Sequence, residues 1–116
     1  MSKEEKIQKI LDSWEGSNRL KTDSWNNVRA VLAYHGFSYE KKSHWVCRHP
    51  ALLSIAKDGR FKDLLHQAGL GPLGEFSVAV THGKDKNTGM VLRVYLNNIL
   101  KAIELVEILL ANTEQK

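Results

Sequence analysis

His44 stands in a run of residues that pairs a titratable imidazole with closely spaced cations: Gly36-Phe37-Ser38-Tyr39-Glu40-Lys41-Lys42-Ser43-His44-Trp45-Val46-Cys47-Arg48-His49-Pro50. An imidazole titrates near neutral pH, so it can take or give a proton during phosphodiester cleavage. Lys41, Lys42, Ser43 and Arg48 are near enough in sequence to meet a phosphate beside it, and Lys84, Lys86 and Arg93 are further candidates for that role. If the phosphodiester is RNA, the 2′-hydroxyl is itself the nucleophile, and the chemistry needs no metal. The plainer alternative is a surface histidine on a basic hairpin.

The other histidines carry less. His82 either reaches the same site or shapes its own loop, and His49, just before Pro50, reads as a hydrogen-bonding residue at a strand end. His35 and His66 stand apart from other chemistry-bearing residues. A zinc site needs several ligands at metal spacing, and the chain has no H-x-x-H or C-x-x-C pair. Gly69, Gly71 and Gly74 do not match a phosphate-cradling fingerprint, and no P-loop sequence occurs. Cys47, the single cysteine, excludes an intrachain disulfide and reads as a buried filler beside Trp45. Neither a metal nor a cofactor is implied.

A chain of 116 residues that is 42% apolar is most simply one domain, 1–116. The charged opening, Met1 to Lys6, has no signal-peptide core, and no apolar run approaches the ~20 residues of a membrane span. A cytoplasmic protein is the expectation. The net charge of +4 and pI near 9.3 permit nucleic acid or an acidic protein as partner without demanding either.

The elements that must position the hairpin follow from periodicity. Ile7, Ile10, Leu11 and Trp14 lie at helical spacing over residues 3–14, and this helix reads as part of an N-terminal extension, residues 1–21. Thr22-Asp23-Ser24 offers capping oxygens to a second helix that turns Trp25, Val28, Val31 and Leu32 inward and ends at Gly36. The period then changes to two. Phe37 and Tyr39 alternate on one strand, Glu40-Lys41-Lys42-Ser43 connects, and the next strand separates Trp45 and Cys47 from His44, Val46 and Arg48. The ring of Trp45 belongs against the helices, so His44 and Arg48 are expected on an open face. Residues 51–75 read as an insertion carrying one helix, from Arg60 to Ala68, and a turn-rich connector. Phe76, Val78 and Val80 mark a third strand, and His82 to Asn87 a basic loop. Asn87 or Thr88 can cap a last helix from about Gly89 to Ala111, whose apolar surface is wide enough to meet two elements or another chain. The expected fold is α+β: a three-stranded antiparallel sheet with helices packed on one face.

With the elements in this order, Gly36-Phe37, Lys42-Ser43-His44-Trp45 and His49-Pro50 resemble the HicA toxins, small ribonucleases of toxin–antitoxin modules. The resemblance resumes at Val78-Ala79-Val80-Thr81-His82-Gly83-Lys84 and Thr88-Gly89-Met90-Val91-Leu92-Arg93, covering two stretches, residues 24–50 and 76–100. It implies a double-stranded-RNA-binding-domain-like fold, metal-independent cleavage of mRNA with His44 as the catalytic histidine, and a HicB-like antitoxin that covers the site. The chain departs from the family pattern at Lys42, where a glycine is usual, at Trp45 in place of a second histidine, at Met90 in place of a threonine, and in the insertion. Two other readings stay open: a non-catalytic double-stranded-RNA-binding-like module, and an interaction protein that uses its last helix to form a homodimer or hold a partner.

Overall fold

Ser2 and Ser24 open the first two helices by the same device, a serine hydroxyl accepting a backbone N–H one turn on. In the computed structural model, which describes residues 2–16, 19–81 and 89–114, the Ser2 hydroxyl accepts from Glu5 N at the head of α1 (Lys3–Ser13). The Ser24 hydroxyl accepts from Asn27 N at 3.2 Å at the head of α2 (Trp25–Tyr34). Gly36, with φ at 83°, ends the α2 turn in the left-handed region and lets Phe37 N bond back to the Leu32 carbonyl.

The strands that follow are shorter and more numerous than alternation suggests. Beside β2 (Ser38–Lys41) and β3 (Trp45–Arg48), the expected third strand divides at Ala79 into β4 (Phe76–Val78) and β5 (Val80–Thr81). β4 pairs with β3, placing Cys47 against Phe76 and Trp45 against Val78. β5 turns to a different neighbour, β6 (Met90–Leu92), which pairs in turn with β1 (Thr22–Ser24). The result is an α+β fold with two three-stranded antiparallel sheets, ordered β2-β3-β4 and β1-β6-β5. Two expectations are corrected here. Thr22–Ser24 is a strand as well as a cap, and the last helix, α5, runs Arg93–Glu114 because Met90–Leu92 is drawn into the sheet. Val91 explains the change: fully buried between Asp23 and Val80, it gains a strand partner on each side. The capping residues expected for that helix, Asn87 and Thr88, lie outside the described residues.

The insertion also differs from expectation. Residues expected to be irregular form α3 (Pro50–Ala56), followed by a 3-10 turn (Gly59–Phe61) and α4 (Lys62–Gln67). His49 starts α3: its Nδ1 accepts the Ala51 N–H at 3.0 Å, and Pro50 sits at the first helical position, where a missing N–H costs nothing. Gly74, with φ at 79°, presses the connector onto α3 so closely that a Cβ there would stand 2.5 Å from the Leu52 carbonyl oxygen. One core takes side chains from all five described helices and both sheets. Ile7, Val31, Leu52, Leu65, Val78 and Ile99 are among its members.

Trp14 shows that the N-terminal helix is part of this core rather than an addition to it. Its indole is fully buried, and Nε1 donates to Asp23 Oδ2 at 2.8 Å. The other oxygen, Oδ1, accepts from Ser24 N at 2.7 Å and from Asn27 Nδ2 at 2.9 Å. Asp23 is itself buried, so α1, β1 and α2 meet at one carboxyl group whose three donors offset its loss of water. Asp23→Ala strands the indole N–H and the other donors, and we expect it to cost about 2–4 kcal/mol. A lower urea midpoint at unchanged slope would register that loss. A midpoint equal to the parent's would show that the group is dispensable.

Candidate functional site

The β2–β3 hairpin closes in fewer residues than its composition suggests. Lys41 still pairs with Trp45, and the connection is Lys42-Ser43-His44, closed by Lys42 N donating to the His44 carbonyl at 2.9 Å. His44 therefore belongs to the turn and not, as expected, to the strand. No described residue other than glycine has a positive φ. The turn thus forms without the left-handed residue that a glycine would supply, which removes the conformational objection to Lys42. Lys41, Lys42, Ser43 and His44 are all exposed, and the His44 imidazole has no hydrogen-bonding partner in the described residues.

Beyond the turn, the two faces divide as the alternation requires. Tyr39, Cys47 and Phe76 line up across three strands on the inner side. Cys47 is fully buried, and burial, opposed by the Arg48 charge, pushes its thiol up to about 12, so it stays a neutral core filler. Toward the turn the inner side becomes aromatic and partly exposed. Trp25, the first residue of α2, stacks on Trp45 with centroids 4.7 Å apart, and Tyr39 meets both rings edge-on at 5.5 and 5.6 Å. The Lys41 ammonium lies over the Trp45 ring, 5.7 Å from its centroid. Sequence reasoning placed Trp45 correctly but did not assemble this cluster. Alternation on the two strands already set Tyr39 and Trp45 on one side, but the contribution of Trp25 depends on the angle at which α2 enters.

On the outer face, Arg48 is already engaged. Its Nη1 donates to Glu40 Oε2 at 3.0 Å and its Nε to Glu75 Oε2 at 2.9 Å, tying together β2, β3 and the end of the insertion. The Glu40 hydrogen bond, then that of Glu75, strengthens its hold on its proton. Two carboxylates against one guanidinium leave this patch no positive excess for a phosphate. Arg93 is directed elsewhere: Nη1 donates to the Leu20 carbonyl at 3.2 Å, while Nε is buried with no hydrogen-bonding partner among the described residues. Burial, then the nearby Arg19, lowers its affinity for the proton, with Glu15 opposing. His82, Lys84 and Lys86 lie outside the described residues. The structure thus brings Lys41, Lys42, Ser43 and His44 together, and directs Arg93 to the connection after α1. The insertion leaves the turn open, because α3 packs against α5 and α4 shares a groove with it.

Two other histidines are built into the frame. Burial holds the imidazole of His49 below its ordinary pKa, partly offset by a hydrogen bond to the His35 backbone and reinforced by the His35 charge. Burial likewise lowers His35, with Glu107 opposing, and its Nε2 is buried with no hydrogen-bonding partner among the described residues. His66 is exposed on α4. Among the described residues, no group of three His, Cys, Asp or Glu is placed to hold a metal, and no helix is long and apolar enough to cross a membrane.

Because His35 and His49 are both lowered, the unfolded chain binds protons before the folded one as pH falls below about 6.5. Their contribution to stability is full above that pH and is lost as pH falls toward the depressed folded values. We expect the unfolding midpoint to drop between about pH 7.5 and about pH 5. The double variant His35→Gln, His49→Asn, in which asparagine retains the capping function, should flatten that dependence. An equally steep dependence in the double variant would place its origin elsewhere.

Comparison with protein-family models, with curated proteins and with solved structures found no match.

Proposed function

We propose that this chain is a HicA-like endoribonuclease that cuts mRNA without a metal, with His44 at its centre. The observation that carries the reading is the state of His44: an exposed imidazole, with no hydrogen-bonding partner among the described residues, in a turn that begins with Lys42 and follows Lys41 at the end of β2. His49 is spent on a helix cap, His35 is half-buried and His66 stands on α4, away from the hairpin, so His44 is the described histidine that adjoins the paired lysines. In this reading the RNA 2′-oxygen attacks phosphorus and the bond to the 5′-oxygen breaks, giving a 2′,3′-cyclic phosphate and a 5′-hydroxyl. His44 takes the proton from the 2′-hydroxyl while water supplies one to the departing 5′-oxygen, or His44 supplies that proton while water takes the first, and Lys41 and Lys42 hold the phosphate. The order α2, β2, β3, β4–β5, α5 is compatible with a double-stranded-RNA-binding-domain-like arrangement, and an antitoxin of the HicB kind would act by covering the turn.

A second reading is favoured by one other feature. The groove between α4 and α5, with a volume of about 290 Å³, is lined by Leu64, Ala68, Leu105 and Ile108, and Val94, Ile108 and Leu110 are exposed on α5. Such a surface suits contact with another chain, a second copy included. The two readings are compatible, since this groove is built from the insertion and α5 and not from the hairpin.

The deciding experiment incubates the parent chain and His44→Ala with a long mRNA in chelator. We expect the parent to cut, leaving cyclic phosphate ends, and the folded variant to lose at least about 10²-fold in rate. Equal cleavage by both, or none by either, would remove the catalytic reading. Among the cations, Lys42→Ala should weaken RNA binding more than Arg48→Ala, because the Arg48 charge is already met by Glu40 and Glu75. The reverse order would mean that the clamp opens to admit phosphate.

A further inference from the structure

We infer that Trp25, Tyr39 and Trp45 form a stacking platform for an unpaired base of single-stranded RNA, beside the turn that carries His44. The inference rests on the reading of that turn as an RNA site, and it names the form of RNA that the site takes. Three large rings converge where the inner face of the hairpin meets the head of α2, with Trp25 stacked on Trp45 and Tyr39 edge-on to both. Each is only half-buried, whereas Trp14, the remaining tryptophan, is fully enclosed and spends its N–H on Asp23. Cations frame the rings. Lys41 reaches over Trp45, Lys42 is the next residue in the chain, and Arg29 is exposed one turn along α2 from Trp25.

Aromatic faces take bases and ammonium groups take phosphates, and their combination is how proteins hold single strands. A duplex keeps its bases stacked inside and offers such a platform nothing but its backbone. A base seated on these rings would bring its phosphate to Lys41, the last residue of β2, and to Lys42, in the turn that holds His44. The platform would then choose where along a strand the chemistry occurs.

The test titrates the whole chain with 2′-O-methylated oligouridylate and oligoadenylate of about 12 nucleotides, each alone and then annealed to one another. Methylation removes the nucleophile, so the probes stay whole. We expect the single strands to quench tryptophan fluorescence and to bind more tightly than the duplex. Trp45→Ala should weaken single-strand binding by about tenfold or more, and Trp45→Phe, which keeps a ring, should restore most of it. Equal affinity for the duplex, binding without quenching, or a folded Trp45→Ala chain that binds like the parent would each overturn the inference. If Trp45→Ala does not fold, the quenching and the single-strand preference of the parent decide. A parent that binds and quenches but leaves natural RNA uncut supports the platform while removing catalysis at His44. A parent that cuts RNA yet shows no quenching does the opposite.

Discussion

The carboxyl group of Asp23 is the fixed point on which the hairpin's position depends. A buried carboxyl deprived of water is costly unless its oxygens are filled, and here the donors come from Trp14, Ser24 and Asn27. Those donors belong to three different elements, so satisfying one side chain also fixes how α1, β1 and α2 meet. Enclosing the Trp14 indole adds on the order of 5 kcal/mol of apolar burial. Neither term is available without the other, because an indole is buried comfortably only where its N–H finds an acceptor. α2 therefore starts at a defined place, and its first residue, Trp25, is delivered against Trp45.

The hairpin inherits its geometry from that contact. Trp25 N donates to the Gly89 carbonyl at 2.9 Å while its ring stacks on Trp45, so one residue connects the head of α2 to both sheets. Cys47 and Phe76 seal the inner face further along. On the outer face Arg48 holds Glu40 and Glu75. Ion pairs that remain partly open to solvent contribute modestly to stability, so the clamp matters more for where it leaves charge than for energy. It neutralises the strand and leaves Lys41 and Lys42 as the hairpin's unpaired cations among the described residues. Positive potential is thereby concentrated at the turn.

Legibility in the sequence followed the range of the interactions. The helical stripe ending at Trp14, the serine cap before α2, Gly36, and the division of β3 into two faces all rest on neighbours within a few residues, and each could be read from spacing. β1 and β6 could not: three residues are too few for alternation to appear, and Val91 is a strand residue because Asp23 and Val80 flank it from distant parts of the chain. α3 was hidden because its cap is a histidine rather than a serine or aspartate, and its six residues after Pro50 carry little amphipathic signal. Of the site, the exposure of Lys41, Lys42 and His44 was legible. The capture of Arg48 by Glu75, 27 residues away, and the turn of Arg93 toward Leu20 were tertiary facts with no local signature.

The insertion is best understood through where its apolar residues had to go. Leu52, Leu65 and Leu70 are buried in the common core, and α3 reaches it by packing on α5 rather than on the polar outer face of the hairpin. Gly74 then sets the connector tightly on α3, which brings Glu75 to the edge of β3 within reach of Arg48. The same packing that keeps the insertion away from the His44 turn thus supplies the carboxylate that neutralises the strand beside it. The cations left unpaired by this clamp stand at the hairpin's end, side by side with the partly exposed rings of Trp25, Tyr39 and Trp45. The insertion, remote from the turn in contact, shapes it electrostatically.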